Sequence, residues 1–172
     1  YAEQLKVLYK KNSGEHQLND IPTLDISKEL RLLTQEISLD PEAVHKNITF
    51  RSEILDGCFS KIPAPMFGRL LENIVGNSIH ASKQNSQIKI SAATANEKIV
   101  LTIEDHGEGI SDDIQLKIFE PNFSTKDNKG TGLGLFVVKQ ICEQYQGKIL
   151  VNSKLNIGTS FQISFPKSEV NL

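Results

Sequence analysis

Asp105 is followed at alternate positions by Gly107 and Gly109, which puts a carboxylate beside backbone that can pass close to a ligand. Further on, Gly130-Thr131-Gly132-Leu133-Gly134-Leu135 runs straight into the apolar stretch Phe136-Val137-Val138-Lys139-Gln140-Ile141-Cys142. A glycine cluster opening a helix presents free N–H groups at the positive end of the helix dipole, and so forms an anion site. Between the two lies Phe119-Glu120-Pro121-Asn122-Phe123-Ser124-Thr125-Lys126, with Lys129 just beyond. The local chemistry is a phosphate cradle, joined by a lysine-bearing loop to a glycine-flanked aspartate. Upstream, Asn73, Asn77 and Ala81 stand four apart and share one helical stripe. Asparagine competes for backbone hydrogen bonds inside helices, so two on one stripe serve either a ligand or a solvated face.

Two common phosphate motifs are absent. No GxxxxGK[ST] occurs, and Gly130-x-Gly132-x-Gly134 follows a polar loop and lacks the dinucleotide fingerprint's spacing. In order and spacing, however, the blocks resemble those of sensor histidine kinase ATP-binding domains. Asp105–Gly109 is similar to that family's first glycine box, Phe119–Phe123 to its phenylalanine box, and Gly130–Leu135 to its second glycine box. Glu72-Asn73-Ile74-Val75-Gly76-Asn77 resembles its asparagine box.

The resemblance implies ATP and Mg²⁺ as cofactors. Asp105 would accept from the exocyclic amine of adenine, where guanine has a carbonyl, and Gly107, Gly109 and Ile110 would pass the base. Asn77 would offer its carbonyl oxygen to Mg²⁺, with Asn73 supporting the metal or phosphate network. His80, Ala81, Phe119, Thr125, Lys126, Lys129, Gly130, Thr131, Gly132, Leu133, Gly134, Leu135 and Thr159 complete the implied cofactor-binding set. Lys126 would neutralise charge on the γ-phosphoryl, and Glu72 would act on the acceptor side as base or orienter, with Asn73 completing the implied catalytic set from the phosphate side. The sequence departs from the family pattern at three places: His80 stands where lysine is usual, Ser78 where alanine is, and Asn122 where a second aromatic is. Lid packing then falls to Phe119 and Phe123.

These residues need elements to hold them. Phe67, Leu70, Leu71, Ile74, Val75 and Ile79 repeat at helical spacing behind Pro63 and Pro65, predicting a long helix that carries the asparagines. Ile88–Ala92 and Ile99–Ile103 read as strands, the second delivering Asp105 from its end. Gly132–Gln146 reads as a helix with Gly147 as its C-cap, and Ile110–Ile118 as mostly helical turn. Lys148–Ser153 and Thr159–Phe165 read as a hairpin around Leu155–Gly158. Leu24–Ile26 reads as a short strand, with Ser27 capping a helix through Ile37; Asp40-Pro41 then restarts a helix. Ile48–Ile54 reads as an edge strand. The expected architecture is α+β: a two-layer sandwich, with helices on one face of a mixed, mostly antiparallel sheet. It is similar to the fold shared by histidine kinases, gyrase, a heat-shock chaperone and mismatch-repair ATPases.

At 172 residues the chain suits one globular domain over residues 20–172. Tyr1, Leu5, Leu8 and Tyr9 make residues 1–12 a short amphipathic helix, too short to stand alone. The resemblance makes residues 1–19 the end of a dimerisation helix plus linker, and the chain a piece of something longer. Nineteen basic against 21 acidic residues leave a net charge of −2, so no basic field invites nucleic acid. Cys58 and Cys142 lack metal or redox spacing and suit a reduced interior. No apolar run approaches membrane-spanning length, and no signal-peptide pattern opens the chain. The resemblance implies a cytoplasmic domain of a parent that is either membrane-anchored or cytoplasmic.

Transfer needs an acceptor. His16, His45, His80 and His106 all lie in contexts unlike the family's phosphoacceptor. The acceptor is therefore expected upstream of Tyr1 or on another protein. The implied partners are the parent's dimerisation and phosphotransfer helices and a response regulator; the parent is expected to be a homodimer and the isolated domain a monomer. One alternative is an ATP hydrolase of the same superfamily, but those place a glutamate where Asn73 stands, and an amide cannot take a proton. A nucleotide-gated interaction module without kinase activity is the other.

Overall fold

The computed structural model describes residues 21–124 and 132–169. The helix expected over 1–12, its linker, and Thr125, Lys126, Lys129, Gly130 and Thr131 lie outside the described residues. In chain order the strands are β1 (Leu24–Asp25), β2 (Thr49–Ile54), β3 (Phe59–Ser60), β4 (Gln87–Ala95), β5 (Lys98–Asp105), β6 (Lys148–Lys154) and β7 (Gly158–Pro166). The helices are α1 (Ile26–Ile37), α2 (Pro41–His45), α3 (Ala64–Ala81), α4 (Asp112–Gln115) and α5 (Gly134–Gln144).

Five strands form one sheet in the order β2-β4-β5-β7-β6. Only β2 and β4 run parallel; the other pairs are antiparallel. Strict alternation turns one face inward: Ile88, Ile90 and Ala92 from β4, Ile99, Leu101 and Ile103 from β5, and Phe161, Ile163 and Phe165 from β7 are buried. Register keeps them in rows, with Ile103 opposite both Ile90 and Phe161. Onto this face packs α3, whose Phe67, Leu70, Leu71, Ile74, Val75 and Ile79 are all buried. Each such side chain contributes roughly 1.5–3 kcal/mol of burial, and that fixes the helix in place. Helix α3 also packs on α1 and α5, so the expected two-layer sandwich is the observed one.

The chain departs from its sequence reading in three places. The cap of α1 is Asp25, whose Oδ1 accepts from the Lys28 amide at 3.0 Å. Ser27 lies inside that helix, 2% exposed, and its hydroxyl donates to the Leu55 carbonyl at 2.8 Å. Strand β1 runs into α1 with no loop between them, so the capping role falls two residues earlier, on the last residue of the strand. Helix α5 spans Gly134–Gln144 and not Gly132–Gln146. Its left-handed exit is made by Gln146 at φ 57°, while Gly147 follows and donates its amide to Cys142 O at 2.7 Å. Strand β3, paired with β1, has two residues and carries no readable period. By contrast, Asp40 caps α2 as expected, accepting from the Glu42 and Ala43 amides at 2.8 and 3.1 Å.

Candidate nucleotide site

The apolar row of β5 ends on a carboxylate. Asp105 continues the inward-facing series Ile99, Leu101, Ile103, is 5% exposed, and sits opposite Thr159 on β7. Its Oδ1 accepts the Gly107 amide at 2.9 Å. Burial pushes the Asp105 carboxyl above the usual carboxylate range, against the opposing pull of the Gly107 amide. The Ser78 hydroxyl, the Thr159 amide and His106 pull the same way as Gly107, more weakly. Ser78 Oγ is buried and closes no hydrogen bond of standard geometry among the described residues.

Around Asp105 opens a cleft of about 280 Å³ between the C-terminal half of α3 and the sheet end. From α3 come Asn73, Asn77 and Ala81, the stripe that the four-residue spacing set out, together with His80. From beyond β5 come Glu108, Gly109 and Ile110, from the start of α5 Gly132, Gly134 and Leu135, and from β7 Thr159. The floor is braced by Ser153, which accepts from the Ile110 amide at 2.8 Å, donates to Gly158 O at 2.9 Å, and lies 2.8 Å from Thr159 Oγ1. The rim is tied to α3 where the Glu108 amide donates to Ala81 O at 3.1 Å.

The start of α5 is built for close approach. Leu133 precedes it without a side-chain cap, so among the described residues no side chain satisfies its first amides. Gly132 has φ 65°, and a Cβ there would stand 2.5 Å from the Asn122 carbonyl carbon. Asn122 itself takes φ 63°, a left-handed conformation that asparagine tolerates far better than the aromatic it replaces. Phe119 and Phe123 pack against the core, and of the two it is Phe123 that reaches the cleft.

Some anticipated residues stand elsewhere. Glu72 lies outside the cleft, exposed in an adjoining groove of about 830 Å³ with Glu29, Leu33, Arg69, Leu133 and Val137. Asn73 and Gly134 line both spaces and join them. Asn73 Nδ2 donates to Arg69 O at 2.7 Å. Leu133 belongs to the groove, and Gly107 acts through its amide on Asp105 without lining the cleft. Six lining residues stand outside the cofactor-binding set that the sequence implied: Glu108, Ile114, Ile118, Phe123, Ser124 and Phe161. The i, i+4 spacing of Ile114 and Ile118 was a usable signal for an apolar wall; nothing in the sequence marks Ser153.

Residues 64–169 match the model of the family described as histidine kinase-, DNA gyrase B- and HSP90-like ATPases. The chain belongs to that family. A probable C4-dicarboxylate sensor kinase of Halalkalibacterium halodurans is 38% identical over 102 residues, covering 57% of this chain and 19% of the relative. Sporulation kinase C of Bacillus subtilis is 30% identical over 153 residues, covering 88% of this chain and 33% of the relative. The chain thus spans a fifth to a third of the length of these curated relatives. Among solved structures, a nucleotide-free catalytic domain of histidine kinase ThkA superposes with a TM-score of 0.75 at 27% identity, over 86% of this chain and 96% of that one. Within the ATPase family, the domain is therefore of the histidine-kinase catalytic, ATP-binding type. No helix among its described residues is long and apolar enough to cross a membrane.

Proposed function

We propose that this domain binds Mg-ATP in the cleft and transfers the γ-phosphoryl to a histidine on a helical hairpin outside the chain, for relay to a response regulator. The buried carboxylate at Asp105 suits a base that carries an amine: it needs a donor to compensate its burial, and adenine has one where guanine has a carbonyl. The uncapped first turn of α5 and Gly132 suit phosphate oxygens. Asn77 on the cleft wall offers a hard oxygen ligand, and among the described residues no group of three or more His, Cys, Asp or Glu side chains could hold a metal alone. That donor set suits Mg²⁺, which keeps waters and takes phosphate oxygens for its remaining ligands, and which when bound neutralises phosphate charge. Lys126 and Lys129 of the intervening loop are proposed to add to that neutralisation.

The observation that carries transfer over hydrolysis is the junction at Asn73 and Gly134. On the nucleotide side stands an amide tied to its own helix, which cannot accept a proton from water. On the groove side stands Glu72, a carboxylate able to orient or deprotonate an incoming imidazole. The groove is thus the proposed approach for the acceptor, which residues 1–19 are proposed to join to the domain. The parent is proposed to be a homodimer, either membrane-anchored or cytoplasmic.

Calorimetry and a turnover assay on the isolated chain test the nucleotide half of this reading. ATP should bind, GTP should not, and ATP should be hydrolysed only slowly. GTP binding as tight as ATP would sink the adenine assignment.

A further inference from the structure

We propose that Glu42 is a positioning residue for nucleotide binding, holding the His80 ring by Nδ1 so that it serves as a phosphate-binding cation on the cleft wall. The proposal rests on reading the cleft as an ATP site. Glu42 lies outside the stretch 64–169 that matches the family model, in the short helix α2, and no sequence motif points to it.

Geometry fixes the pair from two directions. Asp40 caps α2 by accepting the Glu42 and Ala43 amides, which sets where Glu42 projects. Glu42 Oε1 then lies 3.3 Å from His80 Nδ1 and 2.9 Å from Lys46 Nζ. The same Lys46 ammonium donates to Ile79 O at 3.0 Å and to His80 O at 2.8 Å, holding the last turn of α3. From α2 and its C-cap, therefore, Glu42 fixes the ring of His80 and Lys46 its backbone.

The charges add up in a useful way. Lys46, first among its neighbours, holds the Glu42 carboxyl below its usual range, so Glu42 is an anion at neutral pH. That anion is already balanced by Lys46, and a protonated His80 is then the uncompensated positive charge of the three. Asp105 and Glu108, the other titratable groups lining the cleft among the described residues, are both acidic. With Nδ1 donating to Glu42, Nε2 is the ring atom left for a ligand, and as N–H⁺ it selects an anion over a neutral sugar hydroxyl.

ADP and adenosine, titrated by calorimetry into the full 172-residue chain, separate phosphate contacts from base contacts. Relative to adenosine, ADP should weaken roughly three- to tenfold in Glu42→Gln and in His80→Ala, as expected for a partly exposed charge. The double variant should be no weaker than His80→Ala alone, because Glu42 acts only through the ring. His80→Lys should restore ADP affinity and make it indifferent to Glu42→Gln. Should Glu42→Gln melt below the assay temperature, Glu42→Asp, which keeps the charge but shortens its reach, should weaken ADP relative to adenosine. An unchanged ADP-to-adenosine ratio in the Glu42 variants overturns the proposal, and so does a Glu42→Gln effect that persists undiminished without His80. Failure of the unaltered chain to bind either ligand overturns it together with the reading of the cleft.

Discussion

Gly134, the first residue of α5, lies so close to the side chain of Asn73 on α3 that a Cβ on Gly134 would stand 2.7 Å from Asn73 Oδ1. Two helices are thereby locked at the point where the cleft and the groove meet. Gly134→Ala must push the amide or the helix start aside, an overpacking that costs about 1–3 kcal/mol. Denaturant unfolding should show that loss. Calorimetry should show ATP affinity falling with it, since the displaced groups line the cleft.

Asp105 gives two pH dependences of opposite sign. Its folded-state pKa is raised, chiefly by burial, so the unliganded domain gains stability as pH falls through that raised value and loses it as pH rises. Adenine binding needs the ionised carboxylate and should weaken over the same fall in pH, at a higher pH than an ordinary aspartate would give. Thermal melts of the ligand-free chain, set beside adenosine titrations across acid pH, check both signs.

Replacing the carboxylate separates these effects. Asp105→Ala should cost ATP binding on the order of 1.5–3 kcal/mol, the worth of a hydrogen bond to a charged group. Parallel ATP and GTP titrations read the change, and a variant that keeps full preference for ATP would contradict the assigned role.

Asn77→Ala should leave the fold intact and abolish the part of ATP affinity that depends on Mg²⁺. In the unaltered chain, chelating the metal should produce the same loss, and the two losses should not add. An Asn77→Ala chain that still responds fully to Mg²⁺ would return the asparagine stripe to a plain helix face.

Cys142 is buried in α5, and that burial pushes its thiol up to about 12. It should resist thiol reagents at neutral pH in the native state and react once the chain is unfolded.

The sequence made the site legible where chemistry and periodicity coincide. The i, i+4 stripe Asn73, Asn77, Ala81 lies on the cleft wall because the helical period that buries Ile74 and Val75 also sets their neighbours. Asp105 follows its strand's alternation to the last residue, so burying Ile103 predicts burying Asp105. Illegible were the contacts made by distant partners. Ser153 braces Ile110 and Thr159 from β6, and Glu42 reaches His80 from α2, pairings that exist only after the sheet and helices assemble. Helix ends misled for a local reason: Ser27 and Gly147 have cap-like chemistry, but burial against Leu55 O and the left-handed turn at Gln146 assign them other work.

Phosphoryl transfer to a histidine outside the chain is tested most directly by where labelled phosphate goes. The chain, incubated with γ-labelled ATP, Mg²⁺ and a helical hairpin of the kind proposed to carry the acceptor, should put an acid-labile phosphoramidate on a hairpin histidine. Glu72→Gln should slow that transfer by about 10²–10⁴-fold, the range of positioned acid–base groups, with ATP affinity nearly unchanged. Acid-labile label on His16, His45, His80 or His106 of the chain alone, or rapid ATP turnover without any acceptor, would contradict it.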